Sequence, residues 1–344
     1  MLNIFFAIKR IFIIFAREKI HKIFIFAFLV LLIGSVFLVF FEKNISFFDG
    51  LWWSIVTMTT VGYGDISPIT VGGRIVAFFV MISGIGLLGL LTATVAGMFV
   101  ENKFMEKRGM KKINLANHFI ICGWNFRGET IISEIKADLK SKHMPIVIIA
   151  DINEKPSEEE NVFFIHGQID SNSLSRAHAK KAAAVIILAD DLLDSYSRDA
   201  KTILNIMTIK NYNPNLYTCV ELMSSKNIAH CKIAKADEII VVGELSTNLL
   251  VQAALDHGIT RLISELVSNH YGNDLYKIKI PSYLIGKSFF HAMCELKEKK
   301  DIICIGIKDK LSDKFFVNPN SNYVLKENDF IIIIGLERPD MMVS

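Results

Sequence analysis

Two long runs without a formal charge, Phe24 to Phe41 and Ile75 to Val100, dictate most of what the first hundred residues can become. They hold eighteen and twenty-six residues, and about 20 apolar residues suffice to cross the hydrocarbon as a helix. At about 1.5 Å per residue the second run is of order 39 Å long, enough to tilt or to project beyond the bilayer. Lys9, Arg10, Arg17, Lys19 and Lys22 precede the first run, and Lys103, Lys107, Arg108, Lys111 and Lys112 follow the second, whereas the intervening loop has few basic residues. The positive-inside bias therefore predicts a multi-pass chain in the cell (inner) membrane with both termini cytoplasmic. Residues 1–22 alternate apolar stretches with basic residues and offer no small-residue cleavage site. They are expected to form a cytoplasmic or interfacial segment, not a removed signal.

Between the runs lies FFDGLWWSIVTMTTVGYGDISP, Phe47 to Pro68. It is too short to cross twice as helix, so it must dip in and return. Asp49 is expected to cap a short helix with the body Gly50 to Met58, and Trp52 and Trp53 suit its interface end. The run Thr60, Val61, Gly62, Tyr63, Gly64 follows. Irregular backbone is tolerated at membrane depth only where it lines a wet cavity or is buried by protein. The two glycines allow angles that turn successive carbonyl oxygens toward one axis. Four copies around that axis make carbonyl rings able to replace the hydration shell of a potassium ion, with the Thr60 hydroxyl adding a last ring.

The TVGYGD string between two spans resembles the pore module of the two-span potassium channels. That resemblance implies a homotetramer around one pore, with K+ as the permeant ion, a selectivity filter at Thr60, Val61, Gly62, Tyr63 and Gly64, and Asp65 at the outer mouth. It also implies a bend of the inner helix near a glycine. Gly84 and Gly86 are the first candidates for a gating hinge, with Gly89 and Gly97 further along, and each can instead serve close helix packing.

Behind the pore the pattern changes. Apolar composition is 51% overall, yet the charges are plentiful outside the first hundred residues, so a soluble part is joined to the membrane part. His118 to Cys122, Ile146 to Ala150, Ala184 to Ala189, Leu216 to Val220 and Glu238 to Val242 read as buried strands, with helices such as Arg127 to Leu139 and Asp199 to Lys210 between them. This alternation predicts an open parallel sheet covered on both faces. The first crossover holds GWNFRG, Gly123 to Gly128, in which Asn125 stands at the second glycine position of a dinucleotide fingerprint. Gly123 permits the tight turn, the helix N-terminus offers unpaired amides, Arg127 adds a charge, and Asp151 at a strand end is placed to accept from a ribose. NAD or a simple adenosine phosphate such as ADP or ATP is the ligand this set suits.

The region resembles the regulator-of-potassium-conductance (RCK) domain, carried by the turn at Gly123, by HGQID around His166, Gly167 and Asp170, by Asp190 and Asp191, and by KADEIIV around Asp237. The likeness continues through Lys277 to Leu336, where IPSYLIGKS and Pro319 match the family's small carboxy-terminal lobe. It implies a membrane α-helical tetrameric pore joined to a cytoplasmic α/β Rossmann-like RCK domain with a small α+β lobe. The implied domains are a two-span pore at 23–100, a gating linker at 101–116, an RCK N-lobe at 117–243, crossover helices at 244–272 and a C-terminal lobe at 273–344. Such domains form rings of eight, so four additional RCK domains are implied beside the four of the tetramer. Asp191, Asp194 and Glu221 at strand ends suit Ca2+ as an alternative ligand, although Met223 stands where calcium-gated relatives carry a further acid. A net charge of +3 without basic and aromatic interleaving excludes nucleic acid as a partner. The five cysteines lack metal-ligand spacing and read as reduced, mostly buried thiols. A membrane-anchored Rossmann-type oxidoreductase is the rival reading, but the chain shows no nucleophile with an adjacent base.

Overall fold

The computed structural model describes residues 20–310, 312 and 314–339, so most of the expected amino-terminal segment lies outside the described residues. The chain divides between Met105 and Glu106 into two compact units.

In the first unit, among the described residues, α1 (Ile20–Phe41) and α3 (Val71–Lys107) are the two helices long and apolar enough to span a membrane, and α2 (Phe47–Met58) lies between them in the chain. Asp49 does not cap α2. Ser46 is the cap: its hydroxyl accepts from the Asp49 N–H at 3.2 Å, and Asp49 Oδ2 accepts from the Ser46 N–H at 3.3 Å. The reciprocal pair satisfies two helix-end donors, so the helix starts three residues earlier than a lone cap at Asp49 would allow. Small residues let the helices approach. A Cβ on Gly34 would lie 2.7 Å from Val80 Cγ2, and one on Gly50 would lie 3.1 Å from the Ser35 carbonyl. Leu38, Trp53, Ala77 and Val80 form the small core. Only 17% and 22% of the most apolar windows of α1 and α3 are buried by this chain, so lipid or further copies must cover the rest.

The second unit opens with a six-stranded parallel sheet of β1 (Phe119–Cys122), β2 (Ile146–Ala150), β3 (Val162–His166), β4 (Ala184–Ile187), β5 (Tyr217–Leu222) and β6 (Glu238–Val241), in the order β3-β2-β1-β4-β5-β6. All five residues of β2 are buried. Alternate residues serve two cores: Ile120, Val147 and Ile149 face one, and Ile121, Ile146 and Ile148 the other. The helices α4 (Gly128–Ala137), α5 (Ser171–Arg176), α6 (Ser195–Tyr212) and α7 (Ile228–Ile233) connect the strands. The order reverses between β1 and β4, which places a crevice at their carboxyl ends.

Helices α8 (Val242–Leu255) and α9 (Ile259–Val267) follow, with Leu250, Leu255, Leu262 and Val267 exposed. The last lobe is an antiparallel sheet, β7 (Asp274–Lys279), β10 (Phe330–Gly335), β8 (Ile303–Lys308) and β9 (Phe315–Val317) in that spatial order, packed on α10 (Phe289–Lys300) through Phe289, Ala292, Leu296, Ile307, Ile331 and Ile333. Glu134 on α4 fastens the segment before β7, accepting from the Asn269 N–H at 2.7 Å and the Ser268 hydroxyl at 3.2 Å.

Candidate functional site

The re-entrant loop leaves α2 with Val56 O accepting from both Val61 N–H (3.0 Å) and Gly62 N–H (3.2 Å). Beyond it the backbone alternates in hand. Thr60, Gly62 and Gly64 have φ of 63°, 56° and 74°, whereas Val61 and Tyr63 stay on the negative side. Alternating left- and right-handed residues point successive carbonyls the same way, the requirement for an oxygen-lined path. A Cβ on Gly62 or Gly64 would meet nothing within 4 Å, so backbone angle and not space calls for glycine there. Thr60 adopts the same angle with a branched side chain, a strain of the kind found at functional sites.

The outer side is braced by Trp52. Its Nε1–H donates to Asp65 Oδ2 at 2.9 Å, and its ring stacks on Tyr63 with centroids 6.0 Å apart. A brace that sequence reading missed is Glu42, just past α1. Its buried carboxylate accepts from Ile69 N–H and Thr70 N–H at 2.8 Å and from the Thr70 hydroxyl at 2.9 Å, fixing the returning limb of the loop. An acidic residue directly after an apolar span was the available signal.

The two hinge candidates differ. Helix α3 runs unbroken from Val71 to Lys107 through both. A Cβ on Gly84 would stand 2.6 Å from Met58 O and 2.7 Å from Met58 Cα, whereas one on Gly86 would meet nothing within 4 Å. Gly84 thus has a packing reason to be glycine, at the end of the helix that carries the loop.

In the second unit the crevice between β1 and β4 gathers most of the predicted ligand residues. Gly123 has φ 83° and donates to Ile149 O at 2.8 Å. Gly128 starts α4 beneath Trp124, whose ring a Cβ would strike at 2.5 Å. Asn125 is buried and turns inward, donating to Ala189 O (2.9 Å) and Glu221 Oε2 (3.3 Å) while its Oδ1 accepts from Arg127 N–H. Arg127 Nη2 lies 3.1 Å from both Asp191 Oδ1 and Glu221 Oε2. Its Nε comes within 2.7 Å of Glu221 Oε1 but off line for a hydrogen bond, so that contact is an ion pair only. Arg198 reaches the same Asp191 oxygen at 3.2 Å, and Glu221 also accepts from Ala189 N–H at 2.8 Å.

The carboxylates expected to hold a metal take separate parts in this arrangement. Asp191 and Glu221 converge, but on a guanidinium. Asp194 is engaged elsewhere as the cap of α6, accepting from the Ser197 and Tyr196 N–H groups, and the Ser197 side chain together with these amides holds its carboxyl below the usual range. Among the described residues no group of three or more His, Cys, Asp or Glu side chains is arranged to hold a metal ion. Asp190, the neighbouring carboxylate, is likewise held low, by Lys201 at 2.7 Å. Asp151, by contrast, stands exposed past the end of β2, with the Gln168 side-chain amide at 3.4 Å and His166 Nε2 at 3.9 Å. Of the cysteines, Cys122, Cys231 and Cys304 are buried and Cys294 is exposed.

Comparison with known proteins places these features in a family. Residues 25–101 match the ion channel family, 114–220 the calcium-activated potassium channel slowpoke-like RCK domain, and 232–342 the Castor and Pollux family, described as part of voltage-gated ion channel. The calcium-gated potassium channel TvoK of Thermoplasma volcanium is 31% identical over 334 residues, covering 94% of each chain. Potassium channel protein 1 of Methanocaldococcus jannaschii is 26% identical over 332 residues, 92% of this chain and 94% of that one. Among solved structures, the human SLO3 gating ring superposes with a TM-score of 0.51 at 19% identity, over 64% of this chain and 44% of its own length, a likeness of fold alone. The pore match and the two spans set the oxidoreductase reading aside in favour of a multi-pass membrane channel subunit. The chain belongs to the family of potassium channels that join a two-helix pore to a cytoplasmic RCK domain.

Proposed function

We propose that four copies of the chain surround one pore in which Thr60 to Gly64 form the potassium-selective filter with Asp65 at its mouth, and that an adenine nucleotide bound in the Gly123 to Asp151 crevice sets how often the pore opens. The observation that carries the filter is the alternation of backbone hand at Thr60, Gly62 and Gly64. Four such loops line a path with carbonyl oxygens and need no side-chain ligand. For the regulator, Gly123 and the start of α4 supply the turn and amides for a phosphate, and the exposed Asp151 just past the neighbouring strand β2 supplies the ribose contact. Binding of NAD or of ADP or ATP biases the pore only through a difference in affinity between open and closed RCK rings. With one RCK domain per chain, a ring of eight takes four more domains from elsewhere.

A second reading, Ca2+ as the regulator, is favoured by the likeness to the calcium-gated channel of Thermoplasma volcanium and to the calcium-activated slowpoke-like RCK domain. Here a calcium ion at Asp191 and Glu221 has to displace Arg127 first. The test is calorimetric titration of the purified channel with NAD, NADH, ADP, ATP and calcium, followed by bilayer recording. Asp151→Ala should lose nucleotide binding and keep any calcium response. No nucleotide binding at millimolar concentration, together with opening by calcium alone, refutes the nucleotide proposal.

A further inference from the structure

We propose that the seam between the linker and the parallel-sheet lobe is a binding site for a phosphate-bearing anion, which ties the linker to the lobe. A cavity of about 610 Å³ opens there, lined by Lys112 and Asn114 from the linker and by His178, Lys180, Lys181 and Tyr212 from the lobe. That volume lies within the range of ordinary ligand sites. No carboxylate lines it. Several other cations of this unit are paired with carboxylates: Lys107 with Glu158, Lys111 with Glu106, Lys136 with Glu159, Lys201 with Asp190 and Lys210 with Asp237. Among the described residues Lys112, Lys180 and Lys181 have no such partner. Three unpaired ammonium groups around one cavity repel one another, and a phosphate group with its several acceptor oxygens relieves that repulsion.

The frame of the cavity is rigid where the anion needs it. Ile113 N–H donates to Arg176 O at 2.8 Å, His178 Nδ1–H to Leu115 O at 2.6 Å, and Asn117 N–H to Lys181 O at 2.8 Å. His178 takes a left-handed backbone (φ 55°) before the short turn Ala179–Lys181, from which both lysines reach the cavity wall. Lys180 Nζ rests 5.6 Å from the centre of the Tyr212 ring, which holds it at the rim. An anion that bonds Lys112 together with Lys180 or Lys181 adds charge-assisted bonds across the seam that three hydrogen bonds already close. The linker is the covalent path from this lobe to α3, so the bound anion stiffens the element through which the lobe acts on the pore.

The anion has two possible sources with the same chemistry, an anionic lipid headgroup and a soluble polyphosphate. The full-length channel is recorded in planar bilayers of phosphatidylcholine alone or with phosphatidylglycerol, with and without inorganic pyrophosphate on the side of the RCK domain. Open probability is expected to respond to at least one of the two. A response to phosphatidylglycerol only identifies a headgroup, a response to pyrophosphate only a soluble ligand. Replacing all three residues, Lys112→Gln, Lys180→Gln and Lys181→Gln, should raise the half-maximal concentration on the order of a hundredfold, at about fivefold per charge. The corresponding triple change to Arg should stay within a few fold of the native channel. Asp151→Ala should leave this response intact, which separates it from the crevice ligand. No response to either anion, or an unchanged response after the Gln substitutions, overturns the proposal.

Discussion

Gly84→Ala sets two accounts of the inner-helix glycines against each other. The new Cβ lands 2.6 Å from Met58 O and 2.7 Å from Met58 Cα, where ordinary contact begins at 3.4 Å. Both struck atoms are backbone, at the last residue of α2 and two positions before Thr60, so no side chain can swing aside. Relief takes a shift of several tenths of an ångström in the end of α2, and overpacking of this kind costs about 1–3 kcal/mol. Replacing a helical glycine with alanine returns about 1 kcal/mol. Gly86→Ala receives that gain without any clash, since nothing lies within 4 Å. The two variants should therefore separate by about 1–3 kcal/mol in thermal unfolding of the purified channel, with Gly84→Ala the less stable. A filter tolerates only about 0.5 Å of displacement, so Gly84→Ala should also narrow the preference for potassium over sodium, read from reversal potentials. Gly86→Ala should keep it. A shared hinge role predicts something different, that both variants alter gating alike with selectivity intact. Equal stability and equal selectivity in the two channels would sink the packing argument.

Two further outcomes follow from the RCK unit. Arg127→Met leaves Glu221 buried with only Ala189 N–H and Asn125 as donors. Because the arginine is itself 26% exposed, the loss should fall at or below the low end for a broken buried pair, about 2–3 kcal/mol, and adding Glu221→Met should recover much of it in the unfolding midpoint. His118, buried at the entry to β1, donates from Nε2 to Ala177 O at 2.9 Å and has no acceptor for a proton on Nδ1. Burial pushes its pKa below the ordinary 6.5, against the Ala177 hydrogen bond and with help from the nearby His178. The unfolded chain then binds the proton more readily than the folded one, so this contribution is complete above pH 6.5 and is lost as pH falls below that value toward the folded pKa. Unfolding midpoints taken across that window should fall with acidification in the native channel and fall less in His118→Asn; equal slopes refute the assignment.

How far the sequence discloses the site depends on the range of the interactions. The spans, the strand alternation and the TVGYGD string are local patterns, and they survive in the structure with ends moved by a few residues. The start of α2 was misplaced because Asp49 is a capping residue in either position, and only its partner Ser46 decides which. Glu42 and Arg127 hide for a different reason. Glu42 is used 27 and 28 residues later, and Arg127 meets carboxylates 64 and 94 residues away. Nothing in either neighbourhood announces those partners. The expected calcium ligands share this difficulty: Asp191 and Glu221 both meet Arg127, a cation supplied by the same turn that suits a phosphate.

Glycine marks the limit most clearly, because one residue type answers two physical demands. At Gly62 and Gly64 the space around a Cβ is empty and φ is positive, so an L side chain is disfavoured there by backbone angle alone. At Gly84 the backbone is ordinary helix and the Cβ position is filled by Met58, so exclusion comes from a neighbour twenty-six residues earlier in the chain. Gly86 meets neither demand within one copy of the chain. The letters are identical, and only the first demand has a local signature, the alternation inside TVGYG. A glycine in an apolar span therefore states that something excludes a side chain or that flexibility is needed, and deciding between them takes the coordinates of the opposing backbone. For this chain they give Gly84 a packing reason at the end of α2, whereas Gly86, Gly89 and Gly97 each meet nothing within 4 Å in one copy, so a bend at any of the three breaks no such contact.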